Sequence, residues 1–398
     1  MIAMFSKAII KVVVCALTLV LLCCGCFTTL PTGSTNNTEK APLLPNNKSA
    51  FIEEGVISLK KVGAIPMISN DIPQNPEIIF GSSLLFSRRT QGVTEYYLYD
   101  MNINTFPKYV AAVELLYVGS GSQVLTENNK LWFAHDTQTS LNQMNTYMLD
   151  IEQGKCAIID QQENFPPFKF FYKVDEQRLV TYRPEQIKSG EAYVYHIELL
   201  DTATGKTKSL LQLNTEQGKH MPCAYYANNK IYTVQNFTNE EETHICTYDL
   251  TGKMLQDYTL PMPYGKSITP MLVKDNYVFL DTLDNELYAF QLTEDGKATQ
   301  VDFPIERHGY SVNFIGTDAK IADQEVILYN RGDQSFITYN SHSNRFHRYV
   351  VDVEKSSDPE QESIYLYVSQ EGNLYFITNT NSAVANTVTE NEIFVPVL

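Results

Sequence analysis

The side chains able to move protons, bind metals or attack a substrate are few and scattered along this chain. Its seven histidines (His135, His196, His220, His244, His308, His342 and His347) form no HxxxH or HxH pair, so no zinc-ligand spacing is legible. Asp100, Asp150, Asp201 and Asp249 recur like a set of catalytic carboxylates. Each stands just before a turn, where aspartate bonds its own backbone, and a structural role is expected of all four. Arg331-Gly332-Asp333 matches an adhesion tripeptide, but between two apolar runs it reads more simply as a hairpin turn. No phosphate-cradling glycine loop or GxSxG nucleophile elbow is present. These residues assign no catalytic, cofactor-binding or metal site.

Cysteine usage points to the membrane rather than to a reaction. Cys15, Cys23, Cys24 and Cys26 crowd the N-terminus, which leaves Cys156, Cys223 and Cys246 in the body. Three is odd and no CxxC pair occurs among them, so buried, inert thiols are expected there. At the N-terminus, Lys7 and Lys11 precede an apolar run from Val12 to Cys24, shorter than the roughly 18 to 20 residues a spanning helix needs. The run ends Leu21-Leu22-Cys23-Cys24-Gly25-Cys26. This junction resembles the lipobox of bacterial lipoproteins, with Cys23 standing at −3 where leucine is usual. The resemblance implies a signal peptide over 1–25 and a diacylglyceryl group on Cys26. Cys24 is a rival acceptor with a poorer residue before it, and an ordinary secretory signal or an uncleaved anchor are the alternatives.

Residues 26–50, rich in Thr, Asn, Pro and Ser, lack any strand or helix period and are expected to be a flexible tether. The whole chain carries 46 acidic against 30 basic side chains, a formal charge of −16. Loss of Lys7 and Lys11 with the signal makes that −16 − 2 = −18. Such a balance excludes a nucleic-acid backbone as partner. With 43% hydrophobic and 12% aromatic residues, the remaining chain has ample material for a core.

The elements that would position any site are set by a repeat. Short apolar runs begin at Leu84, Leu131, Leu179, Ile231, Val278, Val326 and Leu374, 47 to 52 residues apart. Two are introduced by the same tripeptide, Asn128-Asn129-Lys130 and Asn228-Asn229-Lys230. Glycine turns recur at Gly154-Lys155, Gly205-Lys206, Gly252-Lys253 and Gly296-Lys297, where a tight hairpin needs positive φ. Each unit holds four β-type runs, as in Cys223–Ala227, Ile231–Gln235, Thr243–Asp249 and Lys253–Leu260. Four antiparallel strands at this period describe a propeller blade, and seven units predict an all-β, seven-bladed β-propeller over 51–398. The seventh unit offers only Ser363–Ser369, Asn373–Thr378 and Ile393–Leu398. Val56–Val62, a strand with no blade of its own, is expected to close the ring as the missing outer strand.

In period and turn pattern the body resembles the seven-bladed propellers that include the WD40 and quinoprotein-like folds. The Gly-His and Trp-Asp signatures of WD40 blades are absent, and Trp132 is the only tryptophan, so a quinone cofactor is not implied. Loops between second and third strands are expected to be long at Arg88–Glu95, His135–Asn145, Arg183–Ala192, Asn236–Glu242 and Asn379–Glu392. Function concentrates on long loops held by a rigid scaffold. The expectation is therefore a lipid-anchored, extracytoplasmic module at the cell membrane, without cofactor. It would bind a protein, peptide or glycan on that face rather than catalyse. The alternative is an extracytoplasmic hydrolase or lyase with its site at the channel mouth.

Overall fold

The computed structural model describes residues 51–397 outside 70–71, 73, 91, 104, 115–122, 127, 138–139, 164–169, 187–192, 215–222, 237–241, 263–267, 283–285, 302–311, 316–317, 322–323, 333, 341–342, 344, 353–362 and 380–390. Cys26, the expected signal segment 1–25 and the expected tether 26–50 lie outside the described residues.

The 15-residue strand β1 (Phe51–Ile65) precedes five four-stranded antiparallel sheets. Blade one is β2 (Gln74–Phe80), β3 (Ser83–Thr90), β4 (Val93–Asp100) and β5 (Lys108–Glu114). Blade two is β6 (Val124–Thr126), β7 (Lys130–Thr137), β8 (Ser140–Asp150) and β9 (Lys155–Glu163). Blade three is β10 (Phe170–Lys173), β11 (Arg178–Gln186), β12 (Tyr193–Asp201) and β13 (Thr207–Asn214). Blade four is β14 (Cys223–Ala227), β15 (Lys230–Asn236), β16 (Thr243–Tyr248) and β17 (Met254–Leu260). Blade five is β18 (Ile268–Lys274), β19 (Tyr277–Thr282), β20 (Leu287–Leu292) and β21 (Ala298–Val301).

Blades six and seven are fused into one sheet. Blade six comprises β22 (Val312–Phe314), β23 (Lys320–Ile321), β24 (Gln324–Asn330), β25 (Ser335–Asn340) and β26 (Arg345–Asp352). Blade seven comprises β27 (Ser363–Val368), β28 (Leu374–Asn379) and β29 (Asn391–Val397). Their link is β1. Its first half pairs in parallel with β26, from Phe51 opposite Phe346 to Ser58 opposite Asp352. Its second half pairs antiparallel with β29, from Ser58 opposite Val397 to Ile65 opposite Asn391. The expected closure of blade seven by an N-terminal strand is thus present, but through Ser58–Ile65 rather than Val56–Val62: Val56 and Ile57 pair with β26, so the same strand also extends blade six. Gly55 permits this, because a Cβ there would lie 2.7 Å from the Tyr349 ring.

The ring is joined from blade seven to blade one near its first strands. Ile79 bridges Ser369, the Gln370 amide donates to the Ile79 carbonyl at 2.9 Å, and the Gly81 amide donates to Glu371 Oε1 at 2.8 Å. Sheet faces alternate in hydrophobicity, and the core lies in the blade interfaces. Ile245 and Tyr258 of blade four pack on Val278 and Phe290 of blade five. Leu85 and Tyr96 of blade one pack on Phe133 and Tyr147 of blade two. Each fully buried aliphatic or aromatic side chain of this kind contributes about 2 kcal/mol.

The repeated turns serve two purposes. Asn228 and Asn229 adopt φ of 51° and 57°, as a two-residue hairpin requires. The glycine turns between third and fourth strands also dock on the preceding blade. A Cβ on Gly154 would lie 2.7 Å from the Val110 carbonyl oxygen of β5, and one on Gly252 only 2.0 Å from the Leu210 carbonyl oxygen of β13. Gly205 approaches Ile159, and Gly296 approaches Gln256, in the same way.

Candidate functional site

Paired polar side chains occur at both ends of the blades, and those built on Arg88 and Arg183 stand toward the connections from second to third strands. Part of the expected long-loop pattern is corrected here. Arg88 and Glu95 are cross-strand partners within β3 and β4, β7 and β8 extend to Thr137 and from Ser140, and β11 runs on to Gln186. Strands continue where loops were expected because opposite charges and aromatic rings meet across the ladder and stabilise it. Arg88 donates from Nε and Nη2 to Glu95 Oε2 at 3.0 and 2.7 Å, and Tyr97 Oη donates to the same oxygen at 3.0 Å. In blade three, Arg183 grips Glu198 with two bonds of 3.1 Å. Both pairs are largely shielded from solvent, so screening reduces them less than it would a surface pair.

Glu77 sits at a bulge in β2, the first strand of blade one, where the register slips between Pro76 and Ile78. A bulge re-aims its extra side chain. The Glu77 carboxylate accepts from Ser87 Oγ, and from Gln123 Nε2 of blade two at 2.7 Å. Burial pushes its carboxyl up, and the two hydrogen bonds and the Arg89 charge partly offset this. Among the described residues, the Gln123 Oε1 atom of the same amide is buried without a hydrogen-bond partner. Sequence reasoning missed Glu77, since only the ladder register marks the bulge.

Blade four brings a second group together. His244 Nδ1 lies 2.9 Å from Asp257 Oδ1, and Nε2 lies 3.8 Å from Glu242. Cys246 Sγ, two residues along the same strand face, donates to Asp257 Oδ1 at 3.8 Å. A histidine–carboxylate–thiol trio suggests nucleophilic chemistry, but burial pushes the Cys246 thiol up to about 12, so the thiolate is scarce at neutral pH. Burial does the same to Cys156 and Cys223; all three thiols are free, but only Cys246 is fully buried, the other two being partly so where buried thiols were expected. The i, i+2 spacing of His244 and Cys246 was the available sequence signal, and only the fold adds Asp257.

The recurring aspartates are turn residues where the hydrogen bonds are described. Asp201 Oδ1 accepts from the Ala203 and Thr204 amides, and Asp249 Oδ1 from the Thr251 and Lys253 amides. Asp100 and Asp150 cap their turns likewise, through the Asn102 and Gln153 amides. Arg331 is folded onto the Tyr365 ring of blade seven, 4.8 Å from its centroid, as part of a hairpin between β24 and β25. His196, His244 and His347 lie on three different blades. Among the described residues no group of three or more His, Cys, Asp or Glu side chains is placed to hold a metal ion.

No protein-family model matches the chain, and no curated protein does. Solved structures do resemble it. An oligogalacturonate lyase in complex with manganese is 13% identical, with 87% of this chain and 98% of that one covered at a TM-score of 0.50. The oligogalacturonate lyase of Vibrio parahaemolyticus is 11% identical, covering 86% and 97%, with a TM-score of 0.47. The β-propeller domain of the Trilobed protease from Pyrococcus furiosus is 10% identical, covering 82% and 94%, with a TM-score of 0.45. At such identity the likeness establishes the propeller fold alone.

Proposed function

We propose that this protein is a membrane-anchored extracytoplasmic lipoprotein, lipidated on Cys26, whose propeller is a non-enzymatic binding module for a protein, peptide or glycan. The observation that carries the binding reading is the pairing of shielded charges at the ends of strands that carry the connections from second to third strands. Arg88 with Glu95 and Arg183 with Glu198 are each held by an ionic partner, and the His244 ring is hydrogen-bonded to Asp257. Locked charges make a rigid, pre-organised recognition surface, whereas a proton-transfer group must change partners during a reaction. The anchoring part rests on the Leu-Leu-Cys-Cys-Gly-Cys junction and on the two acyl chains that stable attachment requires.

A second reading is an extracytoplasmic hydrolase or lyase at the channel mouth. It is favoured by Glu77, a carboxyl pushed up by burial on a first strand, with Arg89 beside it.

One set of experiments separates these readings. Cys26→Ala should move the protein from the membrane fraction to the soluble one. Continued membrane association, with no lipid mass on Cys26, overturns the anchor. Arg88→Ala combined with Glu95→Ala, which leaves no unpaired charge behind, should abolish cross-linking to partners in intact cells while leaving the melting temperature within a few degrees. Glycan or peptide turnover by the wild type that Glu77→Gln abolishes would replace the binding reading with the enzymatic one.

A further inference from the structure

Blades two to five each press a glycine turn onto the outer strand of the blade before, through Gly154, Gly205, Gly252 and Gly296. The corresponding turn of blade one, Met101 to Pro107, contains no glycine. At the end of the blades where those four junctions are plugged, the junction of blades seven and one holds a cleft of about 470 Å³. That size falls within the roughly 300–1,000 Å³ of small-molecule sites. One wall is the Gly81-Ser82 turn with Met101 and Asn102 of blade one. The other comes from β1, β28 and β29.

The lining grades from dry to wet. Tyr99 and Ile393 are each 1% exposed, Met101 and Tyr375 belong to the same core cluster but are only partly buried, and Asn102 faces solvent. The Met101 amide donates to the Ser82 carbonyl at 2.8 Å, which ties the two turns of the first wall together. On the opposite wall the ladder between β1 and β29 slips between Lys61 and Gly63. A bulge re-aims its extra side chain, and that residue, Val62, lines the cleft.

Among the described residues that line the cleft, none carries a charge. The charged groups nearby are engaged by other partners: Asp100 by the Asn102 amide, Glu371 by the Gly81 amide and Lys61 by Glu392. Lys60 lies across the ladder from Val395 and is not a lining residue. A phosphate, carboxylate or amine would enter without a countercharge, so the chemistry favours a neutral ligand. The lining is also of two kinds. Tyr375 offers part of an aromatic ring beside apolar Met101 and Val395, whereas Ser82 and Asn102 offer a hydroxyl and an amide. The hydrogen bond described for Asn102 uses its backbone amide, on Asp100 Oδ1 at 2.9 Å, which leaves the side chain for a ligand. Burial and the Glu371 charge push the Tyr375 phenol up, so it stays a neutral donor at pH 7. A pyranose ring divides in the same way, with C–H groups on its faces and hydroxyls around its edge. The C–H groups stack on the electron-rich face of an aromatic ring, and the hydroxyls both donate and accept, as an amide does.

Resting on the reading of the propeller as a binding module, we propose that the cleft between blades seven and one is a carbohydrate subsite that takes one neutral pyranose unit. Tyr375 is its platform, and Asn102 and Ser82 bind the hydroxyls. It stands at the short-turn end of the blades, away from the Arg88–Glu95 pair, so a partner at the other end does not compete with it.

Saturation-transfer NMR on the full chain tests this with the methyl glycosides of glucose, galactose, mannose and N-acetylglucosamine. At least one should give signals from its ring C–H protons, with a Kd of about 1 mM. Asn102→Trp places an indole at an exposed turn position in the cleft mouth, and should weaken that binding about tenfold with an unchanged melting temperature. Tyr375→Ala, which removes the platform, should weaken it by about the same factor. Ile158→Trp, an exposed position on β9, should leave it unchanged. Silence from all four glycosides, or binding that survives Asn102→Trp, overturns the subsite. Loss of protein cross-linking in intact cells on Asn102→Trp, with no glycoside bound, also overturns it and makes the cleft a protein-docking site. If the glycosides fail while cross-linking still depends on Arg88 and Glu95, only the subsite falls and the binding-module reading stands. If glycoside binding tracks Asn102 while cross-linking is indifferent to Arg88 and Glu95, the subsite stands and the role of the charged pairs falls.

Discussion

Replacing Gly252 by alanine tests whether the turn glycines lock one blade to the next, and Gly81 supplies its control. Both have positive φ, +85° and +54°. A Cβ on Gly81 meets nothing within 4 Å, whereas one on Gly252 would sit 2.0 Å from the Leu210 carbonyl oxygen. Gly81→Ala should therefore incur only the left-handed backbone penalty, about 1–2 kcal/mol. Gly252→Ala adds an overlap that no rotamer relieves, since the obstructing atom is backbone. Overpacking of this kind costs about 1–3 kcal/mol more, so a total near 3–4 kcal/mol is expected. For a body of roughly 350 residues, an unfolding entropy of about 2.1 cal/mol/K per residue gives about 0.7 kcal/mol/K. The melting temperature should fall by about 2 °C for Gly81→Ala and about 5 °C for Gly252→Ala, read by calorimetry. Urea midpoints should keep the same order. Equal losses would refute the docking role and reduce these glycines to hairpin formers.

Four further outcomes follow from the same geometry. A chain beginning at residue 47 should melt like the full chain. One beginning at residue 66 loses both halves of β1, exposes the edges of β26 and β29, and should aggregate on refolding, as light scattering would register. Ile65→Ala, at a fully buried seam position, should cost about 2–5 kcal/mol by chemical denaturation. Val56→Ala, largely exposed on the same strand, should cost under about 0.5 kcal/mol. Asp249→Ala should lower the melting temperature at pH 6. The hydrogen bonds from Thr251 and Lys253 hold the Asp249 carboxyl below its ordinary 3.8. The stabilisation is therefore complete above that value, and the gap to wild type should close as pH falls through the depressed one. Finally, with thiols pushed up to about 12, Cys156, Cys223 and Cys246 should resist a thiol-reactive dye at pH 8 until urea unfolds the protein.

The repeat determined most of the architecture without help from the structure. Apolar runs at a period near 48 residues, separated by Asn-Asn and Gly-Lys turns, are local signals, because hairpin geometry depends on a few adjacent φ angles. The missing outer strand of blade seven was legible by counting, and the turn role of Asp201 and Asp249 came from position alone. Other features depend on residues far apart in sequence. That β1 also joins blade six depends on Gly55 meeting Tyr349, nearly three hundred positions later. The Glu77 bulge is a slip in register between two strands, and neither strand contains it by itself. Asp257 reaches His244 and Cys246 only once β16 and β17 pair. The turn glycines show the division most clearly: their positive φ could be inferred from a hairpin, but their contact with the preceding blade could not. A turn is fixed by neighbours along the chain, whereas a blade junction is fixed by which surfaces come within van der Waals reach after the ring closes.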